Sequence, residues 1–426
     1  MPFPNIVLVI LDACRRDALR PYAAPVIYGD QPPSFLSRVV TEGVVVEDCQ
    51  STSSCTAISV ATILTGIGPH EHGITTLVGA SLRDGVPSLA AQLRRVGYTS
   101  GFFPSSAVLN RTTRIPDSFH HTDDGFLEPL YRELAVGREL DLPMFRRHFY
   151  QPPTSRTLPG SLRFCEVTTE SAVSWIARTP DPLFAVIHFI EPHYPYWPPL
   201  EWRVSSDPLD PANYHASLRH LDTVCLGRLA DVLRGRGSEA LVVITSDHGE
   251  YWGTHGFRPS GDHGDLYQEV LAVPLVFWGS GTERLLPTRS APWSHLDLSP
   301  TILGLLGQPS PSMAGGVDRS ASGEEWPRPS WEDAAFNDPN YVAAMGGFRR
   351  GGVAVRMGRY KLIHRTPELG GPELYDLAAD PGERRNLVDL SPAAHRTIAR
   401  YLPPPIAYAP RPMPEVSSRL AALGYL

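Results

Sequence analysis

Lysine is almost missing from this chain of 426 residues: Lys361 stands alone among 38 basic side chains. Acidic residues number 45, giving a net charge of −7. That balance argues against the basic face of a nucleic-acid binder or of a protein resting on an anionic membrane. No apolar run reaches about 18 residues, so no transmembrane helix is expected. Cysteine is scarce too. The five, Cys14, Cys49, Cys55, Cys165 and Cys225, are odd in number and scattered, with no C-x-x-C pair, which makes a disulfide framework a poor reading. The opening segment MPFPNIVLVILDACRRD has no basic region before its short apolar run and an Asp directly after it, a poor signal peptide. The expectation is a reduced, cytoplasmic protein. What the chain has in quantity is proline, 43, and glycine, 36, against 42% hydrophobic residues. Much of it is loop around a substantial core, which suits an enzyme with long functional connections better than a bundle or solenoid.

Asn5 to Leu11, NIVLVIL, is a continuous β-branched run that reads as a strand buried on both faces of a parallel sheet. VVVED, near Val44 to Asp48, reads as a second strand. TAISVATILTG fits a helix stopped by Gly66. PSLAAQLRRVGYTSGFF reads as a helix capped by Ser88 that runs past Gly97 into a strand. Residues of about 110–160 are rich in Pro and Arg without a clean period, and read as an insertion. A helix near Val167 to Ala177, the strand LFAVIHFI, a helix of about Asn213 to Arg236, the strand ALVVITSD, the strand LAVPLVFWG and the helix LDLSPTILGLLG follow. Strands alternating with helices predict an α/β fold, a large, mostly parallel sheet sandwiched by helices. Residues from Pro309 to about Asp333 read as a Gly-, Pro- and Ser-rich linker. After it, GGVAVRMGRYKLIHR and PELYDL read as antiparallel strands of a small α+β unit. The expected division is a catalytic domain over 1–310 and a C-terminal subdomain over 335–426.

Two buried strands end in carboxylates, Asp12 after NIVLVIL and Asp247, followed by His248, after ALVVITS. Open parallel sheets bind ligands beyond the carboxyl ends of their strands. Asp12, Asp247 and His248 can therefore converge, and two carboxylates with an imidazole are a metal-ligand set. A lone Asp after a strand is more often a helix cap; the matched set points to the metal. Thr56 opens the next helix, where a hydroxyl meets the positive end of the dipole. Beside a divalent cation it is a candidate metal ligand and nucleophile. The same position suits an ordinary capping threonine equally well.

These segments, taken in order, resemble the sulfatase family of the alkaline-phosphatase superfamily over nearly the whole chain. NIVLVILDACRRD is similar to the family's first strand and metal Asp, CTAISVATILTGIGPHEHGI to its nucleophile helix, HFIEPHYPYWPP to its P-H-x-P-Y segment, and TSDHGEYWGTHG to its second metal motif. WSHLDLSPTILGLLG resembles a later family helix, and RMGRYKLIHR with ELYDLAADPGERRNL resembles the family's C-terminal subdomain. Counting back from Thr65-Gly66, the family's modified cysteine falls on Thr56 and not on Cys55. The Arg that formylglycine formation needs is absent, its place taken by Val60 or, counted from Cys55, by Ser59. The resemblance thus implies no formylglycine and an unmodified threonine nucleophile, as in branches acting on phosphate and phosphonate esters. It implies one divalent cation per chain, held by Asp12, Thr56, Asp247 and His248. The imidazole favours Mn²⁺ or Zn²⁺ over Ca²⁺ or Mg²⁺. Family lysines near the ester are missing. His263 aligns with one, and His193 lies in the P-H-x-P-Y segment; both are candidate acids or oxygen clamps, and His263 is also a candidate ligand of a second metal. Arg15 and Asp17 are candidates to orient the metal Asp, or else a surface ion pair. Tyr194, Tyr196 and Trp197 are candidates for a substrate pocket, or else core. His188 reads as a strand histidine, His255 as a loop residue and His295 as a helix cap. His70 and His72 read as shaping the turn after the nucleophile helix, and Cys14 and Cys55 as packing residues.

The expected activity is metal-dependent hydrolysis of a small-molecule ester of phosphate, phosphonate or sulfate, first a phosphodiester or phosphonate monoester. A phosphoryl or sulfuryl transferase and an anion-binding pseudoenzyme are the alternatives. No nucleic-acid or membrane partner is expected, and a homo-oligomer is compatible with the sequence.

Overall fold

The computed structural model describes residues 3–19, 35–77, 80–123, 163–194, 196, 198–207, 209–256, 265–311, 315–331 and 351–404. Most of the expected insertion, together with Trp197 and His263, lies outside them.

Fourteen strands are present among the described residues: β1 Asn5–Leu11, β2 Val44–Val45, β3 Asp48–Gln50, β4 Thr99–Phe103, β5 His121–Thr122, β6 Leu183–Phe189, β7 Ala240–Ser246, β8 Ala272–Val273, β9 Leu275–Gly279, β10 Pro292–Ser294, β11 Arg328–Trp331, β12 Val353–Met357, β13 Tyr360–His364 and β14 Glu373–Asp376. The main sheet runs β2-β9-β7-β1-β6-β4-β5. Its centre and one flank are parallel, and β9 and β2 close the other flank antiparallel. A small sheet, β10-β3-β8, stands beside it, and β11-β12-β13-β14 forms a separate antiparallel sheet. This is the α/β architecture expected, with corrections to single elements, LAVPLVFWG among them: Ala272–Val273 joins the small sheet and Leu275–Gly279 the main one. VVVED is divided: Val44–Val45 edges the main sheet while Asp48–Gln50 joins the small one. Arg328–Trp331, taken as linker, is a sheet strand, and its backbone bonds to Thr52.

Helices Phe35–Glu42 (α1), Thr56–Thr65 (α2), Leu89–Arg95 (α3), Cys165–Arg178 (α4), Pro211–His220 (α5), Gly227–Arg236 (α6) and Leu298–Leu305 (α7) cover the main sheet. The single helix expected over 213–236 is interrupted by a π-helical segment, Leu221–Leu226. All ten residues of α2 are buried, and Gly66 ends it in the left-handed region at φ 71°.

The sheet has two apolar faces because β1, β6 and β7 are buried on both sides. Ile6, Leu8, Ile10, Phe184, Val186, Leu241 and Val243 pack on the α2 side. Val7, Val9, Leu11, Ala185, Ile187, Val242 and Ile244 pack on the other. Side chains alternate along a strand, so continuing the α2-side set reaches Asp12, His188 and, past Thr245, Asp247. Register puts them at one level: Leu11 pairs with both Phe189 and Ser246, and Ile10 with His188.

Candidate metal and nucleophile site

Asp12, Asp247 and His248 converge as expected, each presenting a ligand atom within 4.8 Å of the others. His248 Nε2 is 3.5 Å from Asp12 Oδ1 and 3.6 Å from Asp247 Oδ2. The ring's Nδ1 lies 2.8 Å from the Gly249 carbonyl oxygen, a contact in which only the nitrogen donates. That fixes the hydrogen on Nδ1 and turns the Nε2 lone pair toward the carboxylates. Asp247 Oδ1 accepts from the amides of Ala13 (3.1 Å) and His248 (2.9 Å), which orients Oδ2 inward. Ala13 takes φ 55°, a left-handed value that costs a non-glycine residue free energy and marks a tightly determined turn.

Thr56 is the first helical residue of α2 and is buried; its Oγ1 lies 3.4 Å from His248 Nε2. The loop before it is tied to the β7 end. Ser51 Oγ donates to the Asp247 carbonyl, the Ser51 and Ser59 hydroxyls are 3.0 Å apart, and Ser59 Oγ donates to the Ser53 carbonyl at 2.9 Å. Cys55 holds the N-cap position without a side-chain cap bond and packs into the core with Ala57 and Ile58.

The structure adds His188, which sequence reasoning left as an ordinary strand histidine. Its Nε2 is 3.4 Å from Asp12 Oδ2 and 3.9 Å from Asp247 Oδ2, and Nδ1 is 3.3 Å from Ser105 Oγ. The signal was its parity with Phe184 and Val186 on β6.

Charge in the cluster is unbalanced. Burial pushes the Asp12 carboxyl well above the ordinary carboxylate range, and Asp247, Glu250 and Glu191 push it further. Burial also opposes ionisation of Asp247, but His248, His188 and the Ala13 amide hold it below the usual range. Asp12 Oδ1, Asp247 Oδ2 and His188 Nε2 are buried without hydrogen-bond partners. The orphaned carboxylate oxygens and the His248 Nε2 lone pair that face one another are costly unless a cation lies between them. The donor set, two carboxylates and an imidazole, therefore fits a divalent ion.

Other expected residues fall in varied places. The His193 ring centroid is 6.3 Å from that of His248, and its Nδ1 donates to the Tyr194 carbonyl at 2.6 Å. Tyr194 stacks on His193, with centroids 4.9 Å apart. Tyr196 is core, fully buried against Tyr214. Arg15 does form an ion pair with Asp17, at 2.7 Å, and donates to the Glu250 carbonyl at 2.8 Å while its guanidinium lies over Trp252. Its contacts thus brace the chain after His248. His255 stacks on Tyr267 at 3.8 Å. His295 does not cap its helix: Ser294 does, and His295 is buried, its imidazole pushed down to about 4 chiefly by desolvation. His72 forms a bond between Nε2 and Thr62 Oγ1 at 3.2 Å, and its Nδ1 accepts from the Ile74 amide, shaping the turn after α2.

The sulfatase family profile matches residues 4–308. A Δ4,5-hexuronate-2-O-sulfatase of Bacteroides thetaiotaomicron is 25% identical over 372 residues, 70% of this chain and 74% of that one. Arylsulfatase K of Bos taurus is 27% identical over 221 residues, 49% of this chain and 37% of that one. Among solved structures, the phosphonate monoester hydrolase of Silicibacter pomeroyi superposes with a TM-score of 0.69 at 20% identity, covering 93% of each chain. Sulfatase-family members generally use a divalent metal, and a fitting donor set stands at the expected strand ends. With the profile covering both strands that carry those donors, the chain belongs to the sulfatase family of ester hydrolases.

Proposed function

We propose that the chain hydrolyses an ester of phosphate or phosphonate, first a phosphodiester or phosphonate monoester, with Thr56 as the covalent nucleophile. The observation that carries this reading is the placement of Thr56 Oγ1 at the start of α2, 3.4 Å from His248 Nε2 and beside two buried carboxylates. Asp12, Asp247, His248 and Thr56 would hold the cation, which supplies Lewis acidity toward the ester oxygens and favours ionisation of the Thr56 hydroxyl.

The chain's own groups do the rest. Thr56 Oγ1, its proton released to solvent, forms a bond to phosphorus as the bond to the leaving oxygen breaks. The amides at the α2 N-terminus face the charge that builds on the equatorial oxygens. His193, oriented by its Nδ1 bond to the Tyr194 carbonyl, would act as an imidazolium and pass its Nε2 proton to the departing oxygen. Water then attacks phosphorus from the opposite side, the bond to Thr56 breaks, and the hydroxyl is restored. His263 is the second candidate acid, and Tyr194 flanks the leaving group.

A threonine ester cannot expel its sulfuryl group by carbonyl formation as a formylglycine hydrate can, which is the chemical reason to favour phosphorus. The sulfatase names of the matched relatives keep sulfate esters as the second reading. A panel of aryl phosphodiester, phosphonate, phosphate and sulfate esters separates the two. Phosphodiester or phosphonate turnover lost in Thr56→Val and kept in Cys55→Ala supports the proposal. Turnover confined to sulfate esters contradicts the substrate, and turnover that survives Thr56→Val contradicts the nucleophile.

A further inference from the structure

A second group of donors lies apart from the Asp12 centre, where α4 begins and α5 ends. Cys165 Sγ is 3.7 Å from His220 Nδ1 and 3.6 Å from Glu166 Oε2, and His220 Nε2 is 3.5 Å from Glu166 Oε1. One sulfur, one imidazole nitrogen and one carboxylate oxygen thus lie within 4.8 Å of one another. Donors at about 2.0–2.3 Å from a tetrahedral zinc ion stand roughly 3.3–3.8 Å apart, and the distances from Cys165 Sγ to His220 Nδ1 and to Glu166 Oε2 fall in that range. A second buried thiol, Cys225, is near enough to add to the effect of burial in pushing the Cys165 thiol up.

The backbone makes this meeting of side chains possible. In a regular α-helix His220 and Cys225, five residues apart, would diverge by about 140° around the axis. Between them the chain widens into the π-helical segment Leu221–Leu226, whose i to i+5 repeat brings such positions toward one face. Single π-turns inside helices are uncommon and recur at functional sites. Cys165, His220 and Cys225 are all buried, and Glu166 closes the edge toward solvent. Sulfur donors with little solvent access describe a closed, structural site for a soft or borderline ion, chemically unlike the oxygen-rich Asp12 centre.

We propose that Cys165, Glu166 and His220, the three donors already gathered, form a structural Zn²⁺ site that the Cys225 thiol turns in to complete as the fourth donor. Binding releases the two thiol protons to solvent and leaves two thiolates on the ion. The Cys165 amide donates to Glu191 Oε1 at 3.1 Å, two residues before His193. A metal here would fix the start of α4 and the π-turn behind the loop that carries His193.

Cobalt substitution tests this without reference to turnover. The full chain is stripped of metal and given Co²⁺. Sulfur is missing from the Asp12, Thr56, Asp247 and His248 set, so a near-ultraviolet thiolate-to-cobalt charge-transfer band reports the cysteine site. The band is expected in the wild type, retained in Asp247→Asn, and lost in Cys165→Ser. His220→Gln serves in place of Cys165→Ser if that variant does not fold. A wild type that shows no such band with excess cobalt overturns the proposal, as does a band that survives both substitutions. Neither result bears on whether Thr56 is the nucleophile.

Discussion

Thr56 and Cys55 are adjacent, yet only one side chain faces the carboxylates. Cys55 caps the helix from outside and packs among Ala57 and Ile58, while Thr56 begins the helix with its hydroxyl toward His248. Thr56→Val keeps the shape and removes the oxygen proposed to attack, so kcat should fall by about 10³-fold or more; Thr56→Ser should keep part of the rate. His188 makes a different prediction. Its Nε2 sits 3.4 Å from Asp12 with no hydrogen-bond partner. Removing the imidazole should weaken divalent-cation affinity by roughly 10- to 100-fold, as loss of a group supporting a metal ligand commonly does. Titration calorimetry of His188→Ala with Mn²⁺ or Zn²⁺ measures it. Unchanged affinity would make His188 a packing residue after all.

At the scale of elements, the site depends on three strand ends and one helix start held in register. Gly249 shows how little slack there is: a Cβ there would lie 2.2 Å from the Glu269 carbonyl oxygen, which belongs to the backbone and cannot turn away. Gly249→Ala should displace the turn that carries His248 and lower metal affinity even where the fold survives, a change the same calorimetry detects. The strand ends were legible in the sequence because a buried parallel strand is a continuous apolar run, and the first charge after it marks where the sheet opens. Asp12 and Asp247 are such charges. His188 was not legible in that way, since it lies inside its apolar run and only its parity with Val186 and Phe184 points it to the α2 side. The π-turn over Leu221–Leu226 left no periodic signal either, because one extra residue in a long amphipathic stretch blurs the pattern without breaking it. Arg328–Trp331 was read as linker because Pro329 and the glycines and prolines before it resemble loop. Its strand is specified by pairing with β12, which no local pattern encodes.

Across the whole molecule, the antiparallel β11–β14 sheet is tied to the segment after the main site by buried ion pairs. The Arg365 guanidinium contacts Asp265 and Glu373, all three being buried, and Tyr267 and Tyr375 donate to Glu373. Arg365→Met would leave two buried carboxylates without their cation, a loss of about 3–5 kcal/mol that urea denaturation should record. Acid should weaken the fold through two histidines buried in neutral form. Burial holds His72 down to about 3 and His295 to about 4, from an ordinary value of 6.5. Below 6.5 the unfolded chain takes up protons that the native state refuses, so stability present above that pH is lost as pH falls, by roughly 1 kcal/mol per unit for each histidine. Metal acts in the opposite part of the range. Asp12 has its carboxyl pushed up in the metal-free protein, so a divalent cation must displace its proton. The rise in melting temperature on adding metal should therefore be larger near pH 8 than near pH 5. The central claim, a threonine that carries the transferred group, is tested most directly by peptide mass spectrometry of enzyme quenched during turnover of an aryl phosphonate or phosphodiester. The account predicts an adduct on Thr56 and an unmodified thiol at Cys55. An aldehyde at Cys55, or an adduct on any other residue with Thr56 bare, would contradict it.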